Sequence, residues 1–370
     1  MAGLKETTEK LAANRRRPAP PVGVMAETRD FGDNPGKLRM LSYAPQGLPA
    51  GAPLVVALHG CTQRAEAFAA ASGWLALADR AGFAVLAPEQ SAGNNPNLCF
   101  NWFNPKDTAR DAGEAASIHA MIAAAVSAHG LDPARIFVTG LSAGGAMTAT
   151  MLAAYPETFA GGAVIAGVAY GAAKSVPEGL AAMGGRFKRD ADELAQVLKA
   201  AAPASRRTPR LAIWQGGADV VVNAGNAALI AGQWTRAHGL AAEPDQTELL
   251  FGRSRSTWRG PDGTAAMELN LLPAMGHGSP LSTLGDEGLG SVAPFMLETG
   301  ISSTLEIARF WGLVPAGPPP ARAEPGEGAH APPPSAHPIG EQVMSTLSGH
   351  LPEGLHNAIG KALRGIGFLG

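Results

Sequence analysis

The chain has 370 residues, 46% hydrophobic and 16% charged, which allows a sizeable core and excludes a globally disordered chain. Its 29 basic and 31 acidic side chains leave a net charge of −2, so nothing asks for nucleic acid or an anionic membrane as partner. Two cysteines exclude a disulfide scaffold and a multi-cysteine zinc ribbon.

The first residues, MAGLKETTEKLAANRRRPAP, interleave charge with polar residues and lack the apolar run of a secretory leader. Residues 1–35 therefore read as a short basic arm and lead-in. From 36 to 313 strand and helix patterns alternate. PLVVALHG (53–60) is a β-branched run ending in glycine. Residues 66–80 carry helical spacing through Phe68, Trp74, Leu75 and Leu77. FAVLAPE (83–89) is a second buried strand, and 112–129 an Ala-rich helix. RIFVTGLS (135–142) is a third strand, followed by a helix over 144–154 and a strand in FAGGAVIAG (159–167). Asp190 and Asp192 fall in an excursion above the sheet. RLAIWQGG (210–217) precedes a helix at 225–238. AAMELNLLP (265–273) reads as the last strand, and 301–312 as the closing helix. Continuous apolar strands separated by helices predict an α/β fold, with a mostly parallel central sheet and helices on both faces.

Residues 314–338 form a Pro-rich linker, since the stretch from Pro315 to Pro338 holds nine of the 30 prolines. Residues 339–370 regain apolar spacing through Leu355, Ile359, Leu363 and Ile366, as in a short amphipathic or docking segment. That segment is a candidate for surface association, and both ends are expected to be flexible extensions. No stretch is long and apolar enough for a transmembrane span.

The chemistry centres on Gly140-Leu141-Ser142-Ala143-Gly144, a G-x-S-x-G pattern set between a strand and a helix. A serine at such a turn is strained, and its hydroxyl stands exposed at the sheet edge; the helix N-terminus favours negative charge beside it. Ser142 is thus the candidate nucleophile. A serine nucleophile needs a base, and the base an orienting carboxylate, in the chain order Ser, Asp or Glu, His. His277 follows the last strand in a glycine-flanked loop, Met275-Gly276-His277-Gly278. His119, His129 and His238 read as surface residues, and His330, His337, His350 and His356 fall in the tail. Asp219 directly follows the strand LAIWQGG and is the candidate orienter; Asp245, Asp262 and Asp286 lie in polar turns. The turn after the strand PLVVAL, His59-Gly60-Cys61-Thr62-Gln63, should offer the N–H of Cys61 to an oxyanion, beside that of Ala143. His59 reads as a brace for this turn.

Six separated segments, LHGCTQ, CFNWF, GEAASI, DPARIFVTGLSAGGAMT, MGHG and GISSTLEIARFWGL, together resemble the poly(3-hydroxybutyrate) depolymerase-type esterases. That family also includes feruloyl and acetyl-xylan esterases. The resemblance covers residues 36–313. It implies an α/β-hydrolase fold, a Ser142–Asp219–His277 triad, an oxyanion hole from Cys61 and Ala143, and no cofactor or metal. It implies a carboxylic ester as substrate, foremost a poly- or oligo(3-hydroxyalkanoate), with a feruloyl or acetyl-xylan ester as the alternative. It suggests a Cys61–Cys99 disulfide; the residues alone also allow two reduced thiols packed as small apolar groups. Trp102, within CFNWF, is a candidate wall of the acyl pocket or a simple core tryptophan. On location the signs diverge: no visible leader points to the cytoplasm, while family habit and a disulfide point to the extracellular region.

Overall fold

The structure, a computed structural model, describes residues 24–202, 207–285 and 287–317. The expected arm at 1–23, most of the linker and the segment 339–370 lie outside the described residues. Residues ahead of 36 already join the fold. Strand β1 (Ala26–Thr28) pairs antiparallel with β2 (Arg39–Tyr43), which pairs antiparallel with β4.

The central elements follow in chain order. β3 (Leu54–Leu58) leads to helices α1 (Ala65–Ala71) and α2 (Trp74–Ala81), then to β4 (Ala84–Glu89). After α3 (Pro105–Thr108) and α4 (Gly113–His129) comes β5 (Ile136–Leu141), then α5 (Ala143–Ala154) and β6 (Gly161–Ile165). Helices α6 (Val176–Met183) and α7 (Ala191–Ala201) precede β7 (Arg210–Gly216) and α8 (Gly225–His238). Strands β8 (Gln246–Leu250), β9 (Arg253–Arg259) and β10 (Ala265–Leu272) complete the sheet. The short β11 (Ser279–Leu281) and β12 (Met296–Glu298) form a separate parallel pair, and α9 (Ser303–Trp311) closes the described chain.

The large sheet runs β1-β2-β4-β3-β5-β6-β7-β10-β9-β8. Its six middle strands, β4 to β10, are parallel, with antiparallel strands at both edges. Strand alternation divides the core in two. Leu54, Val56 and Leu58 face one layer with Ile118, Met147 and Trp234. Val55 and Ala57 face the other with Phe68, Trp74 and Trp311. From β3 the chain crosses to β4 on one side, while β5 lies on the other. The carboxyl ends of β3 and β5 therefore flank a switch point, where doubly wound sheets hold their ligands.

Two expectations are corrected. The helical stretch at 66–80 is two helices, because Gly73 takes φ 89° and a Cβ there would lie 2.8 Å from Leu289 Cβ. The strand at 265–273 is not the last, since β11 and β12 follow it. Strands β8 and β9 lie in a stretch where the apolar pattern predicts no element; β9, RSRSTWR, sets arginines where apolar residues would mark a strand. Arg253 is nonetheless buried, lies over the Trp214 ring and pairs with Glu306; Arg255 pairs with Glu248 at 2.8 Å.

Candidate active site

Strand β5 ends at Leu141, and α5 begins at Ala143. Between them Ser142 takes φ 58° and ψ −117°, a conformation that a non-glycine residue holds only where its surroundings over-determine it. The surroundings are backbone. A Cβ on Gly140 would sit 2.4 Å from Gly144 O, and one on Gly144 2.1 Å from Leu58 O. The Ser142 N–H donates to Ile165 O at 2.9 Å. The G-x-S-x-G glycines are therefore contact surfaces that let α5 descend onto β3.

Ser142 Oγ lies 3.0 Å from His277 Nε2, and His277 Nδ1 lies 2.7 Å from Asp219 Oδ2. Asp219 Oδ1 accepts the N–H groups of Val221 and Val222, each at 2.8 Å, and Oδ2 also accepts Gln215 Nε2 at 3.1 Å. This carboxylate is buried and saturated with donors, which fixes the tautomer with Nδ1–H toward Asp219 and Nε2 free to accept the serine proton. The loops carrying Asp219 and His277 are sewn together. Gly217 N–H donates to Leu272 O at 2.8 Å, and Ala218 N–H to Met275 O at 3.0 Å.

The turn after β3 lies against Ser142: a Cβ on Gly60 would stand 3.6 Å from Ser142 Cβ. Gly60 N–H donates to Gln63 Oε1 at 2.8 Å. His59 is fully buried. Its Nδ1 donates to Gly60 O at 2.8 Å, and its Nε2 accepts the Gln90 N–H at 3.1 Å. Burial lowers its pKa, which keeps the ring neutral, as these two bonds require. Cys61 and Cys99 are joined by a disulfide, and Thr62 N–H donates to Asn97 O at 2.7 Å, so the turn is tied twice to the 97–99 segment. Among the described residues none accepts a hydrogen bond from the N–H of Cys61 or of Ala143. Ala143 opens α5, where such donors are intrinsically unpaired.

This strained serine, hydrogen-bonded histidine and buried aspartate can be compared with known proteins. The family model described as "Esterase PHB depolymerase" matches residues 40–247. The chain belongs to this family. It is 38% identical over 295 residues to the poly(3-hydroxyalkanoate) depolymerase C of Paucimonas lemoignei, covering 79% of this chain and 71% of that relative. It is 32% identical to the acetylxylan esterase of Coprinopsis cinerea over 72% of both chains. The solved acetyl xylan esterase from Aspergillus awamori shares the fold, with a TM-score of 0.67 and 24% identity over 79% of this chain and all of that one. The fold is that of the α/β-hydrolases, and the protein is a carboxylic ester hydrolase.

Other residues of the esterase support the turn without having been singled out by sequence. Glu114, buried in the first turn of α4, accepts Gln90 Nε2 at 2.5 Å, Asn101 N–H at 2.8 Å and Asn101 Nδ2 at 2.9 Å. Gln90 Nε2 also donates to Cys99 O at 3.0 Å. Glu114 thus holds the segment to which Cys61 is bonded. Burial pushes its carboxyl up to about 8, against the pull of these donors. Its one mark in the sequence is the segment GEAASI, which carries no chemical signature of its own.

Trp102 is half-buried, edge-on to Phe103 at 5.6 Å, and a Cβ on Gly179 of α6 would lie 3.2 Å from its ring. Two histidines depart from the surface reading. His238 packs at 4.6 Å on Trp234, and burial pushes it down to about 4; His119 stacks on Tyr155 at 4.2 Å. No group of three His, Cys, Asp or Glu side chains among the described residues could hold a metal ion. No described helix is long and apolar enough to cross a membrane.

Proposed function

We propose that this esterase works through an acyl-enzyme on Ser142 and that its substrates are poly- or oligo(3-hydroxyalkanoate) esters. The observation that carries the mechanism is the continuous hydrogen-bond chain from Ser142 Oγ through His277 to Asp219. Ser142 Oγ attacks the ester carbonyl carbon as its proton passes to His277 Nε2. Asp219 stabilises the imidazolium. The carbonyl oxygen becomes an oxyanion, met by the N–H groups of Cys61 and Ala143, each such donor being worth roughly 3–4 kcal/mol in the transition state. The tetrahedral adduct collapses, and the alkoxide leaves with the proton from Nε2. Water, deprotonated by His277, then attacks the acyl carbon and frees Ser142.

Two things support the hydroxyalkanoate reading. One is the 38% identity to a relative named poly(3-hydroxyalkanoate) depolymerase C. The other is the apolar character of two loops that flank the proposed triad. Val220 and Val221 follow Asp219, Val292 and Phe295 lie in the segment beside His277, and all four are exposed. Short aliphatic ester units suit such a rim. A feruloyl or acetyl-xylan ester is the second reading, favoured by the acetylxylan esterase relative and the shared fold. Trp102 is retained as a candidate pocket wall. The disulfide beside the oxyanion turn supports work in an oxidising compartment. The test is product analysis on 3-hydroxybutyrate oligomers beside methyl ferulate and acetylated xylan, with Ser142→Ala as control. Turnover of that variant should fall by about 10⁶-fold. Preference for ferulate or acetyl esters would overturn the substrate reading, and near-normal activity of the variant would overturn the mechanism.

A further inference from the structure

The segment from Gly288 to Phe295 is not used by the proposed triad, yet its end is built against it. Phe295 has φ 65°, a conformation that a bulky side chain rarely adopts. The residue is 39% exposed, and its ring stands edge-on to the His277 imidazole, with centroids 5.8 Å apart. Two hydrogen bonds and a close approach at a glycine set the backbone there. Ser279 N–H donates to Phe295 O at 2.8 Å, at the start of the β11–β12 pair. Gly278, next to His277, admits this approach, because a Cβ on it would lie 2.7 Å from Phe295 O. Gln63 Nε2 donates to Pro294 O at 3.2 Å while its Oε1 holds the Gly60 N–H, so one side chain joins the oxyanion turn to the Phe295 segment. A strained, half-exposed aromatic fixed from two sides beside the base has little to do with core packing. Its neighbour Val292 is 66% exposed, and the stretch from Gly288 to Phe295 carries no charge.

We propose that Phe295 is a specificity-determining residue that forms the wall for the alcohol half of the ester. This role rests on the acyl-enzyme proposed at Ser142. In acylation the leaving oxygen must come within hydrogen-bond reach of His277 Nε2 to take its proton, about 2.6–3.2 Å. The carbon chain attached to that oxygen then passes close to the imidazole, beside which the Phe295 ring stands. A branched aliphatic alcohol, such as the next hydroxyalkanoate unit, can bury a methyl group against the ring, whereas a methanol leaving group cannot reach it. Once the alcohol has left, the wall is empty, and deacylation proceeds without it.

That asymmetry supplies the test. Two esters share one 3-hydroxybutyryl acyl group and differ in the alcohol: one carries methanol, the other the hydroxyl of methyl 3-hydroxybutyrate. For the full-length protein and Phe295→Ala, kcat/KM on each reports the steps up to alcohol release. The steady-state phase after a p-nitrophenol burst, with the same acyl group, reports deacylation. Phe295→Ala should lower kcat/KM on the dimer by about tenfold, the usual worth of one apolar pocket contact, with clearly smaller losses on the methyl ester and in deacylation. Phe295→Leu should recover most of the loss. Phe295→Gly, which suits the positive φ, should reproduce the alanine result in a protein at least as stable. Equal losses on both esters, or an equal loss in deacylation, would mean that Phe295 only props His277, and would overturn the proposal. Absence of any acyl-enzyme in the parent protein would instead be a failure of the triad reading.

Discussion

The turn that carries Ser142 is made by five contiguous residues, whereas the loop that carries His277 takes its shape from residues far along the chain. In the first, Gly140 and Gly144 touch each other and the carbonyl of Leu58, and nothing can be added to either. In the second, Gly276 faces open space, and the imidazole is placed by Asp219, 58 residues earlier, and by the Phe295 segment beyond it. The proposed mechanism thus draws on a rigid local device and on a composite one. The local device tolerates no added atom, and the composite one should fail by degrees.

Substitutions can break this contrast. The largest effect belongs to Gly144→Ala. Its Cβ would stand 2.1 Å from Leu58 O and 2.6 Å from His59 O, both backbone atoms, so the turn cannot form. No folded, active enzyme is expected, checked by soluble yield and near-UV circular dichroism; a native spectrum with full activity would refute the packing argument. Next comes Asp219→Asn, which keeps the shape but no longer holds the required His277 tautomer. The protein should fold and lose about 10⁴-fold in kcat on a p-nitrophenyl ester.

A third substitution addresses the support beneath the proposed oxyanion turn. Glu114 has its carboxyl raised from 4.5 to about 8, chiefly by burial, with the nearby Asp107 charge adding to the shift. The folded protein therefore binds more protons than the unfolded chain between those values, and this residue's contribution to stability falls as pH rises from 4.5 to about 8. Glu114→Gln should flatten the decline of Tm across that window, whatever its effect on Tm itself. An unchanged slope would show that Glu114 does not titrate there. The smallest effect is expected from Gly276→Ala, where no atom lies within 4 Å of the new Cβ and φ is not in the left-handed region. Thermal unfolding should show a stability unchanged or raised by about 0.4–1 kcal/mol.

The same contrast explains what the sequence could disclose. The serine turn is legible because strand, glycines and helix follow one another within a dozen residues. Asp219 and His277 are legible as positions just past late strands. Gln63, Gln90 and Glu114 carry no such mark: their meaning lies in bonds to residues brought near only by the fold, as Gln63 to Pro294 across 231 positions. Strand β9 escapes a hydrophobic pattern because Arg253 is buried through its ion pair with Glu306 and its stacking on Trp214. The break at Gly73 depends on Leu289, more than two hundred residues away.

The central claim is that Ser142 forms the acyl-enzyme. Its most direct test is acid quench of the full-length protein during turnover of a p-nitrophenyl 3-hydroxybutyrate, followed by digestion and peptide mass analysis. The account predicts one added acyl group, on Ser142, that disappears in Ser142→Ala. An acyl group on another residue, or turnover by Ser142→Ala at the parent rate, would contradict it.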